Sequence, residues 1–227
     1  MKIILSHYVK LLIFISVISV FSCGTATTGG NTKSIIISDP EPPEDKYSVS
    51  NYVAEKPDEY ARFLVKPEDY TTDGEYYHKK HERCLLGLAE VLTEKHRYNI
   101  KERSIGFYYD RLGKETDLLY LGFDVSCSQN FVDEDKNYFI NGTAMIDKYL
   151  PNALEVTRRY DDILSETSVE GVVVGLFWFR RGRRELMTVW LLKQNIREFY
   201  DDHLTFRQLL IKSTVTDSDG KKIRLAL

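Results

Sequence analysis

The sequence predicts an α+β fold, an antiparallel β-sheet of four to six strands with helices packed on one face. Three patterns predict it. Residues 80–98 place Leu85, Leu88, Ala89 and Leu92 on one side of a helix, because successive side chains turn by about 100°. Residues 103–127 then carry two apolar and aromatic runs around Leu112-Gly113-Lys114-Glu115, the signature of a β-hairpin. The same helix-then-hairpin order returns over residues 151–192.

Each element has its own local reason. PDEYARFLVK (57–66) reads as a short helix with Pro57 in its first turn, where the missing N–H costs nothing. The helix over 80–98 stops at Asn99. In the second unit Leu150, Ala153, Thr157, Tyr160 and Leu164 share one side of a helix, and Glu155, Arg158, Arg159 and Asp162 the other. Pro151 is placed in its first turn, with a start as early as Ala144 as the alternative. VEGVVVGLFWFRRGRRELMTVWLL (169–192) is the second hairpin, turning at Arg181-Gly182-Arg183. A shift of 69 residues lays Gly106 on Gly175, Arg111 on Arg180 and Gly113 on Gly182. Two duplicated α-β-β units are one account of that match, and shared turn chemistry is the other. Asn195 with Glu198, and Thr205 with Gln208, have capping-box spacing and predict two short helices. Asp217-Ser218-Asp219-Gly220 predicts a last hairpin turn. Its acids lack the later ligands of a calcium loop. The hairpin runs are apolar on both faces, so one face needs the helices and the other a second layer, a ligand or a partner.

The front of the chain is different. Lys2 and Lys10 precede the apolar run Leu11–Val20, a basic start and short oily stretch of the kind that directs export. The run is about half the roughly 20 residues a membrane-spanning helix needs. No later stretch approaches that length, which predicts a soluble body. Val20-Phe21-Ser22-Cys23 resembles the lipobox of bacterial lipoproteins. The resemblance implies that residues 1–22 are a signal peptide and that Cys23 becomes the mature N-terminus. Palmitate-class acyl chains on Cys23 would then anchor the protein, since two or more chains hold a protein stably to a bilayer. Gly24 in place of Asp implies the outer membrane, on the periplasmic or the surface face. Ordinary secretion, with cleavage after Ala26, is the alternative. Residues 23–46 are rich in Gly, Thr, Ser and Pro and predict a flexible tether reaching about 25–30 Å. Residues 47–227 remain as a single domain.

Losing Lys2 and Lys10 with the signal takes the formal charge from −3 to −5. That mildly acidic balance gives no footprint for nucleic acid. Once Cys23 is set aside, Cys84 and Cys127 are left. In an oxidising envelope they are a candidate disulfide, with two buried thiols as the alternative.

The candidate chemistry is sparse. His78, His81 and Cys84 follow at three-residue steps and use ligand types that zinc accepts. The spacing is not H-E-x-x-H, and a core face with a rim histidine accounts for it equally. Arg180, Arg181, Arg183 and Arg184 crowd one hairpin tip, where guanidinium groups suit phosphate or carboxylate. A solvated turn that blunts a sheet edge is the plainer account. Trp178 and Trp190 lie in the same hairpin, where the outward aromatics would make an interaction surface. Asp161-Asp162 and Asp201-Asp202-His203 are the best acid–base clusters, yet helix neighbours diverge and form no dyad. No nucleophile elbow, phosphate-binding glycine loop or Cys-x-x-Cys is present. These features predict a non-enzymatic binding or scaffold module without a cofactor, facing an envelope protein, glycan or lipid. The alternative is an envelope hydrolase or metal-dependent enzyme using His78, His81, Glu82 or the Asp201/His203 pair.

Overall fold

Why the middle of this sheet departs from a simple run of hairpins follows from one connection. The computed structural model describes residues 54–70, 72–109 and 118–225. The signal segment, Cys23, the tether and the turn at Leu112–Glu115 lie outside the described residues. The helices are α1 (Pro57–Ala61), α2 (Thr72–Glu90), α3 (Tyr138–Arg158), α4 (Asp161–Leu164), α5 (Lys193–Tyr200) and α6 (Phe206–Lys212). The strands are β1 (Asn99–Ile100), β2 (Gly106–Tyr109), β3 (Leu119–Ser126), β4 (Val169–Arg180), β5 (Arg183–Leu192), β6 (Thr214–Thr216) and β7 (Lys222–Ile223). They form one sheet of order β1-β3-β4-β5-β6-β7, with β2 beside β1 on the same edge of β3. Every pairing is antiparallel except β3–β4, which is parallel. Parallel neighbours cannot be joined by a tight turn and need a long crossover. Here α3 and α4 supply it.

The α+β class is therefore as the sequence predicts, with seven strands among the described residues and one parallel pair. Alternation along the strands puts Leu119, Leu121, Phe123 and Val125 on one face, opposite Val172, Val174 and Leu176 of β4. Met187, Val189 and Leu191 of β5 continue that face, and nearly all of these side chains are inaccessible to solvent. The helices cover it. On α2, Leu85, Leu88, Ala89 and Leu92 are fully buried, as their spacing predicts. The helix begins earlier than the apolar pattern does, at Thr72, bends at His81 and closes with a π-type turn over Val91–Lys95.

α3 begins at Tyr138, where the side chain of the N-cap Asn137 accepts a hydrogen bond from the backbone N–H of Ile140. Pro151 thus lies inside the helix and does not open it. Its lost backbone bond is outweighed by the burial of Tyr149, Leu150, Ala153 and Leu154 around it. The elements α2-β2-β3 and α3-β4-β5 repeat in order, but not in hand. With helices on one face and β3 parallel to β4, the step from β2 to β3 and the step from β4 to β5 turn opposite ways. A rotation cannot superpose them, so the 69-residue match does not extend to the arrangement in space.

The turns follow local chemistry. Arg181 and Gly182 both have positive φ, of 50° and 71°, which is the two-residue turn that suits the twist of a hairpin. Thr205 and Gln208 complete a reciprocal capping box at α6. The matching spacing at Asn195 forms none, because α5 already starts at Lys193. At the last hairpin the Asp217 carboxylate accepts from the backbone N–H groups of Asp219 and Lys221, at 3.0 and 2.9 Å.

Trp178 ties the crossover helix to the sheet. It is fully buried, stacks on Tyr138 of α3 at 5.6 Å, and donates from Nε1 to Glu185 Oε2 at 2.7 Å. Replacing it with Ala is expected to cost about 3–5 kcal/mol, measured as a lower urea midpoint with an unchanged m-value.

Candidate functional site

The helix-free face of the sheet is organised in rows by the strand register. Asp124 of β3 lies beside Gly175 of β4, Gly175 beside Thr188 of β5, and Thr188 beside Thr216 of β6. Two residues along, a second row runs Gly122, Val173, Trp190 and Thr214. Because Gly175 has no side chain, the first row is a trough between bulkier neighbours. One wall is Val173 and Trp190, with Tyr108 lying across Gly122. The other carries Leu186. Successive strands lie about 4.8 Å apart, so the trough runs about 14 Å from β3 to β6. It forms the floor of a half-open cleft of about 600 Å³, with Arg103 and Asp69 at the rim and the Asp217–Gly220 turn at its far end.

At the β2–β3 end of this cleft the polar groups are held by local contacts. The backbone N–H of Asp124 donates to Ser104 Oγ at 3.1 Å, and its Oδ2 pairs with Lys101 Nζ at 3.2 Å. Oδ1 leans over Gly175, where an added Cβ would collide with it. The Tyr108 hydroxyl donates to the carbonyl of Ser104 at 2.6 Å, which pins its ring over Gly122. Arg103 has a φ of 56° in the tight turn before β2, and its N–H donates to the Arg62 carbonyl at 3.0 Å. Trp190 meets the edge of Tyr120 at 5.1 Å, and its shielded Nε1 has no hydrogen-bond partner among the described residues. The close approaches at Gly106 and Gly122 are those that glycine within a strand predicts.

The outer edge of β2 is sealed by residues 63–70. Ser104 and Ile105 donate to the Phe63 carbonyl, and Val65 donates back to Ile105. The Tyr70 hydroxyl accepts from the Phe107 N–H at 3.4 Å and lies 3.2 Å from His78 Nδ1. A neutral His78 accepting from that hydroxyl satisfies all three groups. Burial holds the Tyr70 hydroxyl well above the ordinary tyrosine range and pushes His78 below the ordinary histidine range.

The residues singled out from sequence are distributed otherwise. Trp178 belongs to the core and is closed to a partner. The four hairpin arginines do not converge. Arg180 grips Glu185 through Nε and Nη2, at 3.0 and 2.6 Å, and Arg181 Nε donates to the Glu134 carbonyl at 3.2 Å. Arg184 lies 4.4 Å over the Phe177 ring, and Arg183 is exposed. Strand alternation divides these side chains between faces, and local carboxylate, carbonyl and ring partners occupy three of them.

His78 serves Tyr70, whereas His81 Nε2 lies 2.9 Å from Glu166 Oε1 at the bend in α2. Lys80 reaches the same oxygen at 2.6 Å. With the Lys80 contact as the larger cause, these hydrogen bonds hold Glu166 below the usual carboxylate range. Among the described residues no group of three His, Cys, Asp or Glu can hold a metal, so His78, His81 and Cys84 form no centre. Cys84 and Cys127 are both free thiols, which corrects the candidate disulfide. They lie in different surroundings: Cys84 is half-buried near Tyr160 and Asp162, and Cys127 sits by Tyr98 and Tyr149. Burial pushes the Cys127 thiol up to about 12. Asp161, Asp162, Asp201, Asp202 and His203 are exposed surface residues.

Of the candidate site residues named from sequence, Trp190 alone is among the described residues that line the cleft; Asp124, Gly175, Thr188 and Thr216 come from four strands that no local spacing links. No protein-family model, curated protein or solved structure matches the chain.

The buried pair predicts a pH effect. His78 has a lower pKa folded than unfolded, so between the two values the unfolded chain holds the extra proton. Stability must then fall as pH drops below about 6.5. Urea midpoints at about pH 7.5 and 5.5 should differ more in the wild type than in His78→Gln, which keeps an acceptor without titrating there.

Proposed function

We propose that this protein is a lipid-anchored bacterial cell-envelope protein whose domain is a non-enzymatic binding module. Acyl chains on Cys23 hold it to the membrane, outer membrane first, and the cleft on the helix-free face receives an envelope protein, glycan or lipid. The observation that carries the binding reading is the trough itself. A glycine, two threonines and a carboxylate line up at the base of an aromatic-walled cleft whose volume is that of a ligand site. The lipobox-like Val20-Phe21-Ser22-Cys23 and the tether that follows supply the anchor.

The site suits holding more than cutting. Among the described residues its lining contains no histidine or cysteine. Of the lining carboxylates, Asp69 is at the rim, and Asp124 and Asp217 at the two ends of the floor stand about three strand spacings apart, roughly 14 Å, beyond the roughly 5–9.5 Å separation of paired glycosidase carboxylates. Asp217 also spends Oδ1 on its own turn. The arginine hairpin, with three of its four side chains engaged locally, is left out of the site.

Two outcomes test this. Cys23→Ala is expected to move the protein from the detergent phase to the aqueous phase, and unchanged partitioning refutes the anchor. A photo-crosslinking residue at Leu186 should give a specific adduct in intact producing cells, and the same residue at exposed Asp202 should not. Equal labelling from both positions removes the case for the cleft.

A further inference from the structure

We infer that the cleft binds a neutral saccharide of about two rings along the row Asp124–Gly175–Thr188–Thr216. The inference rests on the cleft being the binding site, as proposed above, and adds the chemical class of its occupant. Four features carry it.

The first is shape. Gly175 lowers the floor between two rows of side chains, and its neighbours two residues away stand about 6.7 Å to either side. The resulting slot is long, shallow and open along its top, which suits a flat, extended ligand. The second is the mixture of polar groups. Thr188 and Thr216 hydroxyls each donate and accept, Asp124 Oδ1 accepts only, and Arg103 donates only. A partner that satisfies all of them must itself both donate and accept, as a row of hydroxyl groups does.

The third feature is charge. Lys101 already balances Asp124, and Arg103 stands at the same end of the cleft. A cation spanning the row would meet Arg103 beside Asp124 and Asp69, and an anion would meet the Asp217 turn at the other end, so an uncharged ligand is favoured along the whole row. The fourth is the wall. Trp190 presents apolar ring surface above a polar floor, and an aromatic body beside hydrogen-bonding groups accommodates a ring with C–H groups on its faces and hydroxyls at its edge. Asp124 Oδ1 would accept a sugar hydroxyl directly, since its other oxygen is taken by Lys101.

The test uses the full chain solubilised in a detergent without a sugar headgroup. Calorimetry is run with cellobiose, maltose, lactose and N,N′-diacetylchitobiose, and with trilysine as a cationic control. At least one disaccharide should bind saturably. Thr188→Val and Asp124→Asn should each weaken it about tenfold or more, the effect of one lost hydrogen bond to a polar or charged group. Gly175→Val should abolish it by filling the trough. The added Cβ there meets Asp124 Oδ1 first and Leu186 Cδ1 beyond it, with no backbone among its nearest atoms, and an unchanged melting temperature checks that the variant still folds.

Binding that these three variants leave intact overturns the assignment. So does a panel in which no disaccharide binds. In that second case, trilysine binding or a specific Leu186 adduct keeps the binding module and removes only the saccharide. Silence in both experiments removes the two readings together.

Discussion

The parallel pairing of β3 with β4 is the constraint on which the rest of this structure depends. Had these strands been joined by a turn, they would be antiparallel and the chain would have been a plain meander. Running them side by side in one direction forces the polypeptide to travel the length of the sheet outside it. α3 and α4 make that journey, and their apolar stripe buries Val172, Val174 and Leu176 of the strand they lead into. The same pairing sets the register that places Asp124 beside Gly175. Core and cleft are thus two faces of one hydrogen-bonded ladder.

The two faces are built differently because different residues alternate. On the helix side nearly every position is a large aliphatic or aromatic side chain, and the helices exclude water from it. On the other side Gly106, Gly122, Gly171 and Gly175 alternate with bulky groups. At Gly106 the missing side chain admits the Tyr70 hydroxyl and Val65, and at Gly122 the Tyr108 ring and Val173. Over Gly175 stand the short Asp124 carboxylate and, farther off, Leu186 Cδ1, and that row is the trough. The sealed edge of β2 then supports the near wall, since Ser104 accepts from Tyr108 at its carbonyl and from the Asp124 N–H at its hydroxyl. A change at the His78–Tyr70 contact would reach the cleft through this edge.

The hairpin of β4 and β5 shows how far local reading carries. Its strands, the place of its turn and the alternation of its residues were all legible, because a hairpin is set by neighbours in the chain, although the turn is Arg181-Gly182 alone and Arg183 already belongs to β5. What its side chains meet was not. Trp178 and Trp190 look alike in sequence, yet α3 covers the first while the second lies on the helix-free face against Tyr120 and Val173. The arginines look like an anion site until Glu134, brought by the fold, occupies Arg181, while Glu185 and Phe177 of the same hairpin occupy Arg180 and Arg184. Pro151 is a further instance. Proline in an apolar stripe reads as a helix start, but here the buried neighbours outweigh the single bond it forfeits.

Local sequence sufficed for the α+β class, the apolar face of α2, the position of the turn in the long hairpin and the capping box at α6. Each of these depends on residues within a turn or two of one another, so local periodicity and backbone preference suffice. Only the tertiary structure decided the parallel centre of the sheet, the opposite hands of the two helix–hairpin units, the separation of Cys84 from Cys127 and the row that floors the cleft. Those depend on which strand lies beside which, and that choice is made by burying the whole apolar face at once. No stretch of sequence short enough to read for periodicity contains it.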